Sequence, residues 1–389
     1  MISVTEALQH INNHCTPSKV AKKPIKKVMG MVLAADVLSP INMPPFKQSA
    51  MDGYAFEYSD DTTYMVVGEV QAGSSENIKL GRGEAVRIFT GARVPNDADT
   101  VVMQEHVTRA DGCIEIKILP KPKANVRPLG EQITKGAIAL EKGTTLNEAG
   151  VGFLAGLGIA KVDVYQTPKV SVLITGDELQ KVGKELEEGQ VYDSNSLTLQ
   201  LALKRLGITE VRVSKVKDDL RSTTKAIEKH LKKSDVVLIS GGISVGDYDF
   251  VQQALMDNNA KEVFYKVNQK PGKPLWFGYK GNTKIFALPG NPASSLICFY
   301  VYVWPLLKAQ MGYQEFHLPR LRAKAKTAIK NSYDKTIFLK GNVSNGNVSV
   351  LTGQASSMLK SLAVSNALLI VPSNIEEINK GEYITYIQL

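Results

Sequence analysis

Expected strands and helices alternate along the second half of the chain, and this alternation restricts the fold more than any other feature of the sequence. Apolar runs with the length of strands lie at residues 170–174, 211–216, 235–240, 263–267 and 285–288. Helical stretches separate the first three runs, one ending at Leu206 before Gly207 and one at residues 221–233. Because parallel strands need such crossover helices, the pattern predicts a doubly wound parallel sheet.

Unusual loops follow these expected strands. They occupy residues 175–178, 217–219, 240–249, 270–274 and 289–294. Ligands of doubly wound sheets bind beyond the carboxyl ends of the strands, so we expect the loops to share one rim. Each loop alone is equally typical of an ordinary turn, because glycine and proline are common wherever a chain reverses. The five loops together favour a binding site.

Two of the loops carry groups that suit anions. In the Ser240 loop, backbone N–H groups and the Ser244 hydroxyl can bind a phosphate, with a structural turn as the alternative. The turn Lys270–Pro274 holds two lysines on a backbone stiffened by two prolines, which suits an oxyanion; an exposed basic turn is the alternative. Neither GxGxxG nor GxxxxGK[ST] occurs, so a dinucleotide-binding fold and a P-loop are not indicated.

Carboxylates lie on the neighbouring loops. They are Glu178, Asp218, Asp219, Asp247 and Asp249. Bare negative charge there would repel an anionic substrate, whereas a divalent cation binds carboxylate and phosphate oxygens together. We therefore infer Mg²⁺, and solvated surface acids are the alternative.

The first half of the chain has other periodicities. Ser3–Glu6 has the pattern of a capping box before a helix, and a proline-rich stretch leads to residues 49–55, a loop expected to display Asp52. A helix rich in glycine and alanine is expected at residues 146–158. Short β-rich runs separated by turns predict a small β-barrel or sandwich. These runs are residues 64–70, 84–89, 100–104 and 113–119.

Composition excludes several classes of protein. The 389 residues are 43% hydrophobic and 22% charged, which suits several globular domains, and no apolar run is long enough to span a membrane. Cys15, Cys113 and Cys298 support neither a disulfide framework nor a cysteine zinc site, and the polar start lacks a signal peptide, so we expect a cytoplasmic protein. The net charge of +9 favours anionic ligands. Since no nucleic-acid motif occurs, small anions are preferred to nucleic acid.

Six motifs in a fixed order resemble one family. They are Ser49–Ala55 (SAMDGYA), Ile88–Ala92 (IFTGA) with Pro95 and Ala98–Asp99, Thr175–Leu179 (TGDEL), Ser240–Gly246 (SGGISVG), Lys270–Pro274 (KPGKP) and Leu288–Pro292 (LPGNP). Together they resemble the molybdopterin molybdenumtransferases, the MoeA and gephyrin E-domain family, over nearly the whole chain. The glycine-rich motif alone is shared with the related adenylyltransferase and competence-damage domains.

The resemblance implies a multidomain α/β plus β fold and a homodimer. Its four domains would be a helical domain of residues 1–43 plus 136–168, an inserted β domain of residues 44–135, a central molybdopterin-binding α/β domain of residues 169–318 related to MogA, and a C-terminal β-barrel of residues 319–389. The site would lie between protomers. Asp52 and Thr90 would approach the α/β domain of the partner chain.

The resemblance also implies a reaction. Molybdate is inserted into adenylylated molybdopterin with Mg²⁺, and AMP and molybdenum cofactor are released. The catalytic residues would be Asp52, Thr90, Glu178, Asp218 and Asp249, with Glu178, Asp218 and Asp249 holding the metal. The substrate- and anion-binding residues would be Ser240, Gly241, Gly242, Ser244, Lys266, Lys270, Lys273, Pro289, Pro292, Ser294, Lys335 and Ser356. The molybdopterin adenylyltransferase and apo-molybdoenzymes would be protein partners, and no membrane would be involved.

Three positions depart from the family pattern. Gln132 stands where an aspartate is usual, Lys335 at or near the place of an arginine, and Met358 where a basic residue is frequent. Lysine keeps the charge of arginine but loses its planar fork. Two other functions stay open. One is a non-catalytic pterin-binding scaffold, which Gln132 and Met358 favour and the retained Asp52 and Glu178 oppose. The other is a nucleotide- or nucleic-acid-binding module that would use the positive charge.

Overall fold

The computed structural model of the protein describes residues 1–243 and 250–389. The helices, in chain order, are α1 (Val4–Asn13), α2 (Glu148–Gly156), α3 (Asn195–Arg205), α4 (Leu220–Leu231), α5 (Val251–Asp257), α6 (Pro292–Cys298), α7 (Trp304–Gln310) and α8 (Leu359–Ala363). Residues Phe299–Val303 join α6 to α7 as a π-helical turn, and residues Ile25–Lys27 and Gln104–His106 form short 3₁₀ turns.

The strands are numbered in the same way. They are β1 (Val20–Pro24), β2 (Val37–Leu38), β3 (Gln48–Ser49), β4 (Gly53–Phe56), β5 (Thr63–Val70), β6 (Glu84–Ile88), β7 (Thr100–Met103), β8 (Val107–Ala110), β9 (Cys113–Ile116), β10 (Val126–Arg127), β11 (Ile138–Leu140), β12 (Lys161–Tyr165), β13 (Val170–Thr175), β14 (Leu179–Gln180), β15 (Val191–Tyr192), β16 (Val211–Val216), β17 (Val236–Ser240), β18 (Lys261–Tyr265), β19 (Gln269–Lys270), β20 (Trp276–Lys280), β21 (Thr283–Leu288), β22 (Arg320–Ala325), β23 (Ile329–Lys330), β24 (Thr336–Ser344), β25 (Asn347–Val350), β26 (Ala367–Val371), β27 (Glu377–Ile378) and β28 (Tyr383–Gln388).

The chain divides into two compact units. The first comprises Met1–Ala21, Gly30–Val32 and Val164–Leu389, and the second comprises Lys22–Met29 and Leu33–Asp163. The first unit therefore contains the predicted α/β region and the C-terminal region, and the second contains the inserted β region. The four domain boundaries given above subdivide the chain further and stay predictions.

The central sheet of the first unit has the strand order β16–β13–β17–β21–β20–β18. Strands β16, β13, β17 and β21 are parallel, as predicted. Leu238 and Phe286 pack in the core on one face of the sheet, and Val237 and Ile285 pack in the core on the other. Because helices cover both faces, these strands are continuous apolar runs and not alternating ones. The predicted doubly wound core is confirmed.

One strand of this sheet, β20, runs in the opposite direction to its neighbours. β18 pairs antiparallel with β20, and β20 pairs antiparallel with β21. The strand predicted at residues 263–267 is β18 (Lys261–Tyr265), which runs in the same direction as β21, and between them lies β20, an unpredicted strand of opposite direction. The physical reason is the short connection of residues 266–275, since a parallel crossover needs a dozen residues or more.

The second unit is built around a sheet with the order β7–β4–β6–β5–β9–β8. Strand β4 is buried along its whole length between β6 and β7. Ala55 and Phe56 belong to apolar clusters on opposite faces of the sheet. Asp52 directly precedes this buried strand, so the position of its backbone is fixed by the core of the sheet.

The C-terminal region closes into a β-barrel. Its strands follow the order β24–β25–β22–β28–β26, and β26 pairs again with β24 to complete the ring. Alternate residues, including Ile337, Leu369 and Ile384, fill an apolar cluster of this barrel. The predicted C-terminal barrel is confirmed. Strand β19 pairs in parallel with the start of β24, so the lysine turn begins beside the barrel.

The helices are short, and α1 illustrates how the sequence sets their ends. The Ser3 hydroxyl accepts from the Glu6 N–H, and the Glu6 carboxylate accepts from the Ser3 N–H, which is the predicted capping box. Ala7 and Ile11 then pack on the core of the α/β sheet. Across the two described ranges, no helix has the length and apolar character needed to cross a membrane.

Stability of the first unit depends on the aromatic core around Phe286. Phe286 is fully buried, and its ring centroid lies 4.7 Å from that of Phe277. Phe286→Ala should lower the free energy of unfolding by about 3–5 kcal/mol, because a large cavity replaces the ring. Urea denaturation followed by circular dichroism measures this loss. Leu201→Ala on α3 is the control, since Leu201 is 56% exposed and its loss should cost less than about 0.5 kcal/mol. Equal losses in the two variants would contradict the assignment of this core.

Candidate functional site

A cleft of about 650 Å³ opens beyond the carboxyl ends of β13, β17 and β21. This volume lies within the range of small-molecule sites in proteins. The predicted rim is therefore present on the α/β unit. Its lining includes seven of the residues predicted from the sequence: Glu178, Asp218, Ser240, Gly241, Gly242, Pro289 and Pro292.

Glycines allow the loop after β17 to approach the strand beside it. Gly241 and Gly242 have positive φ angles of 97° and 60°, and a Cβ atom on either would lie 2.7–3.0 Å from Thr175 Oγ1. The Thr175 hydroxyl is buried and has no hydrogen-bond partner among the described residues. The Gly241 N–H donates to the Leu288 carbonyl oxygen at 3.3 Å, so the fold itself uses this donor. Only glycine fits both positions.

Asn195 joins two loops of the cleft and was not predicted as a site residue. Its Nδ2 atom donates to Ser240 Oγ at 2.9 Å and to the Gly290 carbonyl oxygen at 2.7 Å. Asn195 is the first residue of helix α3. The residues around Asn195 predict only the start of a helix, because no local pattern shows that its side-chain amide reaches two loops far along the chain.

The C-terminal region also reaches the cleft. The Ser294 N–H donates to the Ser356 carbonyl oxygen at 3.2 Å, and Asn291 Nδ2 donates to Ser356 Oγ at 3.0 Å. Ser294 itself is buried, whereas Ser357 lines the cleft. The predicted residues Ser294 and Ser356 are thus in contact, although they lie far apart in the sequence.

Two carboxylates fit the inferred metal ion. Glu178 and Asp218 both line the cleft, and Asp218 Oδ2 accepts from the Asp177 N–H at 3.2 Å. Counting only residues that the structure describes, no three His, Cys, Asp or Glu side chains form a metal-binding group. Mg²⁺ in proteins commonly takes one or two carboxylates together with substrate phosphates, so this donor set suits it. The predicted residues Ser244 and Asp249 lie outside the described residues.

The predicted lysines stand on the turn that follows β18. Lys270 and Lys273 are exposed, and Lys270 Nζ lies 3.6 Å from the centroid of the Tyr333 ring. A hydrogen bond to Lys270 lowers the pKa of the Tyr333 hydroxyl, and the positive charge of Lys270 adds to the effect. The third lysine, Lys266, has its Nζ atom 4.6 Å from the Tyr265 ring centroid. Pro274, the last residue of the turn, lines the cleft.

Two lysines of the C-terminal region have different surroundings. Lys335 is half-buried, and its carbonyl oxygen accepts from Asn331 Nδ2 at 3.0 Å. Lys340 is completely buried, and its Nζ atom donates to the carbonyl oxygens of Ala355 and Met358 at 3.0 and 3.2 Å. Burial lowers the pKa of Lys340. Sequence reasoning missed Lys340; the signal that could have found it is an ammonium group in a strand of otherwise apolar character.

Asp52 and Thr90 form a hydrogen-bonded pair in the second unit. Asp52 Oδ1 accepts from the Thr90 N–H and from Thr90 Oγ1, both at 2.7 Å. Both bonds lower the pKa of Asp52, and the bond from the backbone N–H has the larger effect. The positive charge of Arg87 lowers this pKa further. Arg87 donates to the Gly53 carbonyl oxygen at 2.9 Å and holds the neighbouring backbone. The structure therefore joins two motifs that the sequence predicted to act together.

The pKa of Asp52 should depend on the Thr90 hydroxyl. Thr90→Val removes one donor to the carboxylate and leaves the backbone donor, so the pKa of Asp52 should rise towards its ordinary value. Carbon-detected NMR titration of the Asp52 carboxyl measures the shift. Thr108→Val, on exposed strand β8 of the same unit, is the control and should leave the pKa unchanged. An unchanged Asp52 pKa in Thr90→Val would contradict the importance of the hydroxyl bond.

Comparisons with known proteins agree along the whole chain. Family models match the MoeA N-terminal region (domain I and II) at residues 2–158, a probable molybdopterin binding domain at residues 171–309 and the MoeA C-terminal region (domain IV) at residues 322–389. The chain is 36% identical to the molybdopterin molybdenumtransferase of Haemophilus influenzae, over 95% of this chain and 94% of that protein. It is 31% identical to molybdopterin molybdenumtransferase 2 of Mycobacterium tuberculosis, over 94% of each.

A solved structure shows the same architecture. The molybdopterin biosynthesis moeA protein from Pyrococcus horikoshii OT3 is similar with a TM-score of 0.84 and 30% identity, and the match covers 100% of both chains. The similarity therefore extends to the α/β sheet, the inserted β region and the C-terminal barrel together.

Proposed function

The chain belongs to the molybdopterin molybdenumtransferase family, an enzyme family of molybdenum cofactor biosynthesis, and on that premise we propose that it inserts molybdate into adenylylated molybdopterin. In this proposal the reaction depends on Mg²⁺, and it releases AMP as molybdenum cofactor forms. The residues predicted from the sequence, Lys335 included, take the roles given above.

One observation carries the proposal: loops from three parallel strands and the C-terminal region meet at one cleft. Asn195 connects the loops after β17 and β21, and Ser356 connects the second of these loops to the C-terminal region. Glu178 and Asp218 also line the cleft. An anionic, elongated substrate needs such a combination of close backbone, fixed polar groups and acids able to hold a cation.

The chain's own residues supply binding and orientation. Glycines at 241 and 242 let the loop that would bind a phosphate lie against Thr175, where a Cβ atom would clash. Lys270 and Lys273 would hold the molybdate oxyanion by charge-assisted hydrogen bonds next to the dithiolene sulfurs. Glu178 and Asp218 would hold Mg²⁺, which neutralises charge on phosphoryl oxygens when bound. Orientation and electrostatic stabilisation then supply most of the rate enhancement.

The partners named from the resemblance stay predictions. They are a second copy of this chain, a molybdopterin adenylyltransferase that supplies the adenylylated substrate, and apo-molybdoenzymes that receive the product. A cytoplasmic location is likewise a prediction. A non-catalytic pterin-binding scaffold is the competing function, and it differs in its response to the metal.

Release of AMP tests the reaction. Purified protein with adenylylated molybdopterin and molybdate should release AMP in the presence of Mg²⁺ and lose this activity with EDTA. Glu178→Gln should lower the rate by about tenfold or more, because it weakens metal binding. Glu185→Gln, at an exposed position in the same segment, is the control and should keep the wild-type rate. Substrate binding without metal-dependent release of AMP would support the scaffold.

Mixed dimers test whether Asp52 serves the partner's α/β domain. Asp52→Asn and Glu178→Gln should each lose about nine-tenths of the activity or more as homodimers. If the site is shared, an equal mixture that exchanges subunits should recover about a quarter of the wild-type activity, since half of the dimers carry one intact site of two. Light scattering checks that the variants remain dimers. No recovery, despite subunit exchange, would contradict a site shared between protomers.

A further inference from the structure

Gln269 is a buried glutamine directly before the lysine turn. It is 1% exposed, and its Nε2 atom donates to the carbonyl oxygens of Pro271 and Gly272 at 3.1 and 3.0 Å. Both acceptors belong to the turn that carries Lys270 and Lys273. A single side-chain amide therefore satisfies two turn carbonyls that burial would otherwise leave without a donor.

The other end of the Gln269 amide is anchored in the core. Gln269 Oε1 accepts from the hydroxyl of Tyr302, which is fully buried in the π-helical turn between α6 and α7. The contacts also determine which atom is nitrogen, because the reverse orientation would direct Oε1 at two carbonyl oxygens. The amide thus connects the lysine turn to the helical layer of the α/β unit.

The side of the lysine turn that faces Gln269 is closely packed. Gly272 has a φ angle of 86°, and a Cβ atom there would lie 2.6 Å from Cys298 Sγ and 3.0 Å from Gln269 Nε2. The base of the turn is held by the Val267 N–H, which donates to the Lys273 carbonyl oxygen at 3.0 Å. With its base and its inner side both occupied, the turn has one well-defined arrangement.

The lysines receive their positions from this arrangement. Lys270 pairs with Ile337 at the start of β24, and its ammonium group lies over the Tyr333 ring. Less conformational entropy is lost when a ligand binds lysines on a turn of fixed backbone than when it must first order a mobile turn. The Gln269 amide, which is not among the cleft-lining residues, acts on a ligand only through the turn.

We propose that Gln269 is a positioning residue that fixes the lysine turn and thereby sets the affinity of the protein for a tetrahedral oxyanion. The inference rests on the proposed function, in which Lys270 and Lys273 hold molybdate. It goes further because it assigns the affinity for the oxyanion to a buried amide network of Gln269 and Tyr302 and not to the lysines alone.

Two variants separate the parts of the network. Gln269→Met keeps the volume of the side chain but removes both donors to the turn, so Kd and KM for molybdate should rise about tenfold with kcat nearly unchanged. Tyr302→Phe removes only the partner of Oε1 and should raise both constants about threefold. Affinity for the adenylylated pterin should stay at the wild-type value in both, which a general loss of structure would not allow.

Gln310→Met is the matched control. Gln310 is 4% exposed in α7 of the same unit, and its Oε1 atom has no hydrogen-bond partner among the described residues. Its replacement should leave Kd and KM for molybdate unchanged. Isothermal titration calorimetry with sodium molybdate, in the presence of the adenylylated pterin, measures Kd, and release of AMP gives KM and kcat.

Lys270→Ala distinguishes failure of this inference from failure of the proposed function. If Lys270→Ala binds molybdate as the wild type does, the lysine turn is not the oxyanion site and the proposed function loses that assignment. If Lys270→Ala binds weakly while Gln269→Met and Tyr302→Phe bind normally, the positioning role is overturned and the lysine assignment stands. If Gln269→Met does not fold, Tyr302→Phe decides: a wild-type Kd would overturn the inference, and a raised Kd with unchanged pterin affinity would support it.

Discussion

The parallel register between β17 and β21 is the constraint on which the rest of the site depends. Ser240 pairs with Leu288 at the carboxyl ends of these strands, so the loops that follow them leave the sheet at the same level. The Gly241 N–H then bonds to the Leu288 carbonyl oxygen, and Asn195 bridges the two loops. Because both strands are buried on both faces, a shift in register would cost core packing along their whole length. The geometry of the cleft is therefore maintained by the hydrophobic core beneath it.

Acidic and basic side chains of the site stand on different parts of the fold. The acids Glu178 and Asp218 line the cleft of the α/β sheet. Lys270 and Lys273 stand on the turn that begins at β19, and β19 pairs with strand β24 of the C-terminal barrel. Lys340 is used in another way, since its buried ammonium group binds two carbonyl oxygens of the loop that carries Ser356. Exposed lysines can exchange water for an anion, while a buried lysine bonded to backbone oxygens stabilises the loop around it. The positive balance of the chain thus serves binding at some positions and local structure at another.

Much of the architecture could be predicted because it depends on local patterns. A few adjacent residues are enough to predict the capping box of α1, the apolar strands β13 and β17, and the turn at the glycines after Ser240. Strand β20, which runs against its neighbours β18 and β21, was not predicted, and its direction follows from its short connection to β18. The roles of Asn195 and Gln269 were also missed. An asparagine at a helix start and a glutamine before a turn have ordinary local explanations, and their partners lie 95 and 33 positions away.

By itself the sequence determined the doubly wound sheet and the loops beyond its strands, which follow from periodicity. Motifs of adjacent residues determined the family resemblance, and the C-terminal β-barrel was expected from that resemblance. Only the tertiary structure decided which groups meet: Asp52 with Thr90, Ser294 with Ser356, and Gln269 with Tyr302. The physical reason is that hydrogen bonds and close packing act over a few ångströms in space, whereas the distances between these residues along the chain are set by the connections of the fold.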